Sequence, residues 1–278
     1  MKNKLILLTV IIIAVAAAFI WWRTSHPAHH RYVIAKKHIP VSVVKKVPAA
    51  LSVVSKKITN PKIAIVIDDF GYNKNNISAL FDIKQPVTLS ILPDLRYSKE
   101  IADSARSKGY EVILHLPLEA HGKDVKQEAD TIRHGMREEE VIARLSKEAA
   151  SVPGLVGVSN HQGSKATEDK ELMTVIFGYL KANKLYFFDS LTSQKSVCRE
   201  VASHIGIPYA RRDIFLDNSE EPASIEKQFL LLRKIAFKTG RAIAICHDKK
   251  NTIEVLSKLM PEMAREGIVF IKLSEFEK

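Results

Sequence analysis

Along this chain, apolar positions gather in short blocks separated by longer stretches in which polar and apolar residues mix at helical spacing. In KIAIVIDDFGY the uninterrupted run Ile63–Ile67 meets Asp68, Asp69 and Gly71, which predicts a buried strand that opens into a polar loop. Similar blocks recur in PVTLSIL, YEVILHL, LVGVS, LYFFD, RAIAICH and GIVFIKL. Between them, residues 97–108, 138–150, 169–182, 194–204, 222–239 and 251–266 read as helices. Strand and helix therefore alternate over roughly 215 residues, as required when parallel strands must be joined by crossovers. A barrel or an open sheet satisfies that alternation. Seven or eight short strands without a dinucleotide-type glycine fingerprint favour the first: an α/β fold, a distorted (β/α) barrel with its active groups beyond the C-terminal strand ends.

The pattern is different before the body. Leu5–Trp22 is a block of 18 apolar or small residues with no polar face, preceded by Lys2 and Lys4 and followed by Arg23. This length suits a membrane-spanning helix, with Trp21 and Trp22 at an interface. The small residues Ala16, Ala17 and Ala18 also fit an export signal, but Trp21, Trp22 and Arg23 make a poor cleavage region, so an uncleaved anchor is favoured. Residues 1–23 are thus expected to be an anchor or signal sequence, and the positive start places the rest of the chain outside the cytoplasm: the periplasm in a cell with two membranes. Residues 24–61 combine paired lysines, spaced prolines and short Val-rich pieces, and are expected to form a basic tether able to meet a protein partner or an anionic surface.

Charge sharpens this division. The chain has 42 Lys and Arg against 31 Asp and Glu, a formal net charge of +11. The first acid is Asp68, and ten of the basic residues precede position 61, so the body carries 32 minus 31, or +1. A nucleic-acid-binding fold would show its basic excess within the folded part, so no nucleic-acid partner is expected.

The informative residues are the polar ones that close the apolar blocks: Asp68 and Asp69; His115 and Glu119 in HLPLE; Asn160, His161 and Ser164 in NHQGS; Asp189 and Ser190 after LYFF; His247 and Asp248 after AIAIC. A barrel would bring them to one mouth. Carboxylate oxygen and imidazole nitrogen together suit a divalent metal such as zinc, with one position left for water. Two adjacent aspartates repel unless a cation compensates them, and they can divide the work of ligand and base. Asp189, Asp213 and Asp217 read as caps or turn residues as readily as functional groups. The two cysteines, Cys198 and Cys246, are compatible with one disulfide or with two buried thiols.

Taken in order, IAIVIDDFGY, VILHLPLE, VGVSNHQGSKAT, LYFFDSLTS, RDIFLD and AIAICHD, followed by NTIEVL, resemble the divergent polysaccharide deacetylase family from about residue 62 to residue 274. The resemblance implies one domain over 62–278, with a distorted barrel of the glycoside hydrolase/deacetylase kind. It also implies hydrolysis of N-acetyl groups on an envelope polysaccharide or glycan with a divalent metal, commonly zinc. By that resemblance Asp68 is the catalytic base, Asp69 a metal ligand and His247 the late acid, with His115 and His161 as the remaining ligands. The related deacetylases keep both ligand histidines in one short motif, whereas HLPLE carries Glu119 at the second position. Glu119 is therefore an alternative ligand or a partner that orients His115, and Asp189 a residue that orients or strengthens a histidine. Asn160 and Ser164 are expected to bind substrate or shape their loop, and Arg212 to bind a sugar oxygen or pair with a carboxylate. The rival reading is a catalytically altered envelope module that binds glycan or protein in the same cleft.

Overall fold

A computed structural model describes residues 58–122 and 125–276. The expected anchor and nearly all of the expected tether lie outside the described residues. Among the described residues, no helix is long and apolar enough to cross a membrane.

The strands are β1 (Lys62–Phe70), β2 (Thr88–Ile91), β3 (Glu111–Leu118), β4 (Gly157–Gln162), β5 (Tyr186–Asp189), β6 (Tyr209–Arg211), β7 (Ile214–Phe215), β8 (Arg241–His247) and β9 (Val269–Phe270). The helices are α1 (Ile77–Phe81), α2 (Ser98–Ser107), α3 (Glu138–Ser151), α4 (Lys170–Ala182), α5 (Cys198–Ile205), α6 (Pro222–Thr239) and α7 (Lys250–Arg265). The main strand order is β6-β5-β4-β3-β2-β1-β8-β7, and every ladder is parallel. The short β9 pairs with Lys62 and Ile63 of β1, below the point where β2 begins at Val66.

The two ends of this path, β6 and β7, are joined by only Arg212 and Asp213, so their facing ends lie within about 10 Å of each other and the sheet must curl round. That link also bridges the seam: the Arg212 amide donates to the Asp189 carbonyl on β5, and the Asp213 amide donates to the Ile243 carbonyl on β8. The result is a curled parallel sheet flanked by helices, a distorted (β/α) barrel.

Period-2 alternation sorts each strand between two cores. Ile63, Ile65 and Ile67 of β1, Leu114 and Leu116 of β3, and Ala244 and Cys246 of β8 pack toward the helices. Ala64, Val66, Ile113, Phe188, Ile243 and Ile245 form a separate cluster inside the barrel. The same parity carries Asp68, His115, His161 and His247 to the interior side at the C-terminal ends of their strands. Both cysteines are free and buried. They are two buried thiols of the core, not a disulfide.

Candidate metal centre

The centre begins with an irregularity in β1. Adjacent residues of a regular strand point to opposite faces, so Asp68 and Asp69 cannot both reach the mouth unless the backbone departs from the pleat. It does so here: the register of β1 against β2 shifts between Ile67 and Phe70, and Asp69 adopts a left-handed conformation with φ 66°. Such a bulge re-aims the side chain at that position. Asp68 stays buried in the barrel, and Asp69 turns back across the strand ends.

Three donors converge there. The His115 Nε2 atom lies 3.3 Å and the His161 Nδ1 atom 3.2 Å from Asp69 Oδ1, and ligand atoms of the three residues all lie within 4.8 Å of one another. The two imidazoles meet edge to face, with centroids 5.0 Å apart. These separations suit a tetrahedral ion with ligand bonds of ~2.0–2.1 Å, whose donors stand about 3.3 Å apart. Asp69 Oδ1 is buried without a hydrogen-bond partner, as is Asp68 Oδ1. Buried carboxylate oxygens left unsatisfied by protein are costly, and a cation between the donors removes that cost. One carboxylate and two imidazoles on three strand ends therefore fit a divalent metal.

The interior supports the first histidine. His115 Nδ1 lies 2.8 Å from Ser159 Oγ, which lies 2.7 Å from Ser90 Oγ, and all three side chains are buried. When Nδ1 donates to Ser159, Nε2 is left with its lone pair toward Asp69. Burial raises the Asp68 carboxyl above its ordinary range, and His115, with Nε2 3.7 Å from Asp68 Oδ2, offsets this only in part. Burial would raise Asp69 too, but His115 and His161 outweigh it and hold that carboxyl well below the usual range.

Across the β1–β8 ladder, His247 is the register partner of Asp68. Its Nδ1 lies 2.8 Å from Asp217 Oδ1, while Asp217 Oδ2 accepts the His247 amide and the Thr252 hydroxyl. The Phe215 ring stacks on the His247 imidazole at 8° and 5.8 Å, and the Arg212 guanidinium lies over the Phe215 ring at 3.9 Å. Burial works against the charged imidazole, but Asp217 outweighs it and raises the His247 pKa.

The remaining sequence candidates occupy other positions. Glu119 is drawn away from His115: Oε1 pairs with Lys165 Nζ at 2.9 Å, and Oε2 accepts the His134 amide. Asp189 orients no histidine; it accepts the Leu191 amide, the Ser196 hydroxyl and the Tyr209 hydroxyl, and so ties the loop after β5 to β6. The side chain that orients His247 is Asp217, which the sequence leaves open between a cap and a functional group. The three apolar residues before it in DIFLD, Ile214, Phe215 and Leu216, match the block-closing pattern of the other site residues. Asn160 accepts the Ser190 amide and donates to the Gln162 carbonyl, and Ser164 accepts the His121 amide, so both shape loops. Arg212 donates to the Ser190 and Leu191 carbonyls and makes no ion pair with Asp213, whose carboxylate accepts the Ile243 amide.

Known proteins resemble the chain over most of its length. The chain is 33% identical over 226 residues to the uncharacterized protein YibQ of Escherichia coli K12, covering 81% of this chain and 70% of that one. It is 37% identical over 195 residues to an uncharacterized protein of Haemophilus influenzae, covering 70% and 69%. Among solved structures, the uncharacterized protein ATU2773 of Agrobacterium tumefaciens superimposes with a TM-score of 0.75 at 25% identity, covering 78% of this chain and 89% of that one. The model of the divergent polysaccharide deacetylases matches residues 65–276, from the middle of β1 to the last described residue, and the chain belongs to that family.

Proposed function

We propose that this protein is a metal-dependent hydrolase that removes N-acetyl groups from an envelope polysaccharide or glycan, working outside the cytoplasm on zinc held by Asp69, His115 and His161. The observation that carries this reading is the pairing of that donor set with two proton-handling groups on adjacent strands, Asp68 and His247. A divalent metal supplies Lewis acidity toward a carbonyl oxygen and lowers the pKa of water. Asp68, buried and with its pKa raised, takes the proton from the attacking water. His247, kept protonated by Asp217, gives its proton to the departing sugar amine. Phe215 and Asp217 fix the plane of that imidazole, with Nδ1 held by Asp217 and Nε2 left as the nitrogen that transfers the proton. Asn160, Ser164 and Arg212 hold the loops after β4 and β5 that form the rim against which a glycan lies.

The test is acetate release by the purified full chain from N-acetylglucosamine oligomers and from peptidoglycan, measured alongside metal content. The expected result is about one equivalent of metal per chain, with turnover lost on chelation and restored by zinc. A chain that binds glycan saturably, holds no metal and releases no acetate would instead be a binding module.

A further inference from the structure

Helix α6 is the longest described helix, 18 residues, and it is amphipathic in an unusual sense. Ile225, Phe229, Leu232 and Ala236 form its buried side. The opposite side carries Lys227, Leu230, Leu231, Lys234 and Lys238, all exposed, with Leu230 and Leu231 at 59% and 45%. At 100° per residue these five fall in an arc of about 100°. No exposed position within the helix is acidic. The one acid of α6, Glu226, is engaged by Lys258 of α7, and Arg233 pairs with Glu266 just beyond α7. The charges facing α7 are thus matched across the helix pair, whereas none of the three lysines of the outer stripe has an ion-pair partner among the described residues.

Two apolar side chains framed by unpaired lysines, with long stems that can lie along an apolar surface while the ammonium stays at a charged one, match the headgroup zone of an anionic bilayer. The path of the chain favours the same partner. The first described residue, Ile58, comes within about 4 Å of the space beside Gly240, the residue that ends α6, and the Lys62 amide donates to the Gly240 carbonyl. The N-terminal segment therefore enters the fold at the end of this helix. The 34 residues 24–57 can span up to about 110–120 Å, so an anchor at Leu5–Trp22 alone would leave the orientation of the barrel unset.

We propose that the Lys227–Leu230–Leu231–Lys234–Lys238 face of α6 docks the barrel on an anionic lipid surface. Docked this way, the barrel lies on its side and its catalytic mouth opens along the membrane rather than away from it.

The test uses the full chain reconstituted in vesicles, with Leu230→Cys carrying an environment-sensitive fluorophore; the native thiols Cys198 and Cys246 are buried and do not compete for the label. In vesicles of mixed phosphatidylglycerol and phosphatidylcholine the label should emit to the blue and be shielded from aqueous iodide. In pure phosphatidylcholine it should do neither. The triple variant Lys227→Gln, Lys234→Gln, Lys238→Gln should lose the blue shift while its circular dichroism stays unchanged. The same emission in both lipids, shielding that survives the triple substitution, or shielding that grows with protein density in neutral vesicles would overturn the proposal, the last by showing a second copy of the chain on that face.

Discussion

The barrel interior contains buried carboxylates at both ends, and they are treated in opposite ways. At the N-terminal end, one Glu111 oxygen receives the hydroxyls of Thr88 and Tyr186, each at 3.0 Å, and the amide of Ser274 at 3.1 Å. At the C-terminal end, Asp68 and Asp69 each present a buried oxygen with no hydrogen-bond partner. Only a few residues of β1 and β3 separate the two ends. A carboxylate surrounded by donors from the chain is a structural joint, here closing the barrel floor onto the segment after β9. A carboxylate left without them is arranged for something the chain does not itself contain.

Substitutions can break that contrast. The largest effect is expected from Asp69→Asn, which removes a ligand: acetate release should fall on the order of 10³-fold and bound metal should be lost. Metal content and turnover unchanged in the variant would show that Asp69 is a joint like Glu111. Next in size, Glu111→Ala leaves two hydroxyls and an amide without their acceptor and should cost about 2–4 kcal/mol in urea unfolding, with metal stoichiometry unchanged. Asp217→Asn tests the proton donor. Because Asp217 raises the His247 pKa, its loss should move the alkaline limb of the rate–pH profile to lower pH and reduce the rate about 10–100-fold.

The smallest effect concerns a third unpaired carboxylate, which lies away from the metal centre. Glu148 on α3 is fully buried with both oxygens unpartnered, and burial, reinforced by Asp130 and Asp94, pushes its pKa up to about 8 from 4.5. Its folded form holds a proton that the unfolded chain has released between those values, so stability falls as pH rises from about 4.5 to 8. Glu148→Gln should flatten that slope and gain on the order of 1–2 kcal/mol at pH 8, with little change near pH 4.5. An unchanged slope in urea melts would mean that Arg144 and Lys147, which oppose the shift, already satisfy the charged form.

Most of the barrel was legible because its strands are largely buried and so fall on short apolar-rich blocks, which β1, β2, β3, β5 and β8 follow and which cover the first half of β4. The exceptions are short. β6 and β7 have three and two residues, too few for any period, and are set by the neighbours they pair with at the seam. GIVFIKL yields only the two-residue β9, since just the first residues of β1 remain unpaired on that side. The five-residue α1 has no repeating apolar stripe to betray it.

At the site, strand-end position brought out Asp69, His115, His161 and His247. It could not show how Asp69 reaches the mouth, because a bulge is a property of two paired strands and not of either sequence. Nor could it separate Asp217 from Asp189. Both come after apolar residues, and the distinction depends on which strand lies alongside: Asp217 sits beside β8, which carries His247, and Asp189 beside β6, which carries Tyr209. Glu119 was misleading for a similar reason, since its partner Lys165 is 46 residues away in sequence.

Whether Asp69, His115 and His161 hold a cation is read directly by anomalous scattering from crystals of the purified protein grown with zinc. The expected result is a single strong peak at the zinc edge bounded by Asp69 Oδ1, His115 Nε2 and His161 Nδ1, with Asp68 beside it and Glu119 still on Lys165. Absence of a peak at that position, with the three side chains closed into hydrogen bonds with one another, would show that they hold none.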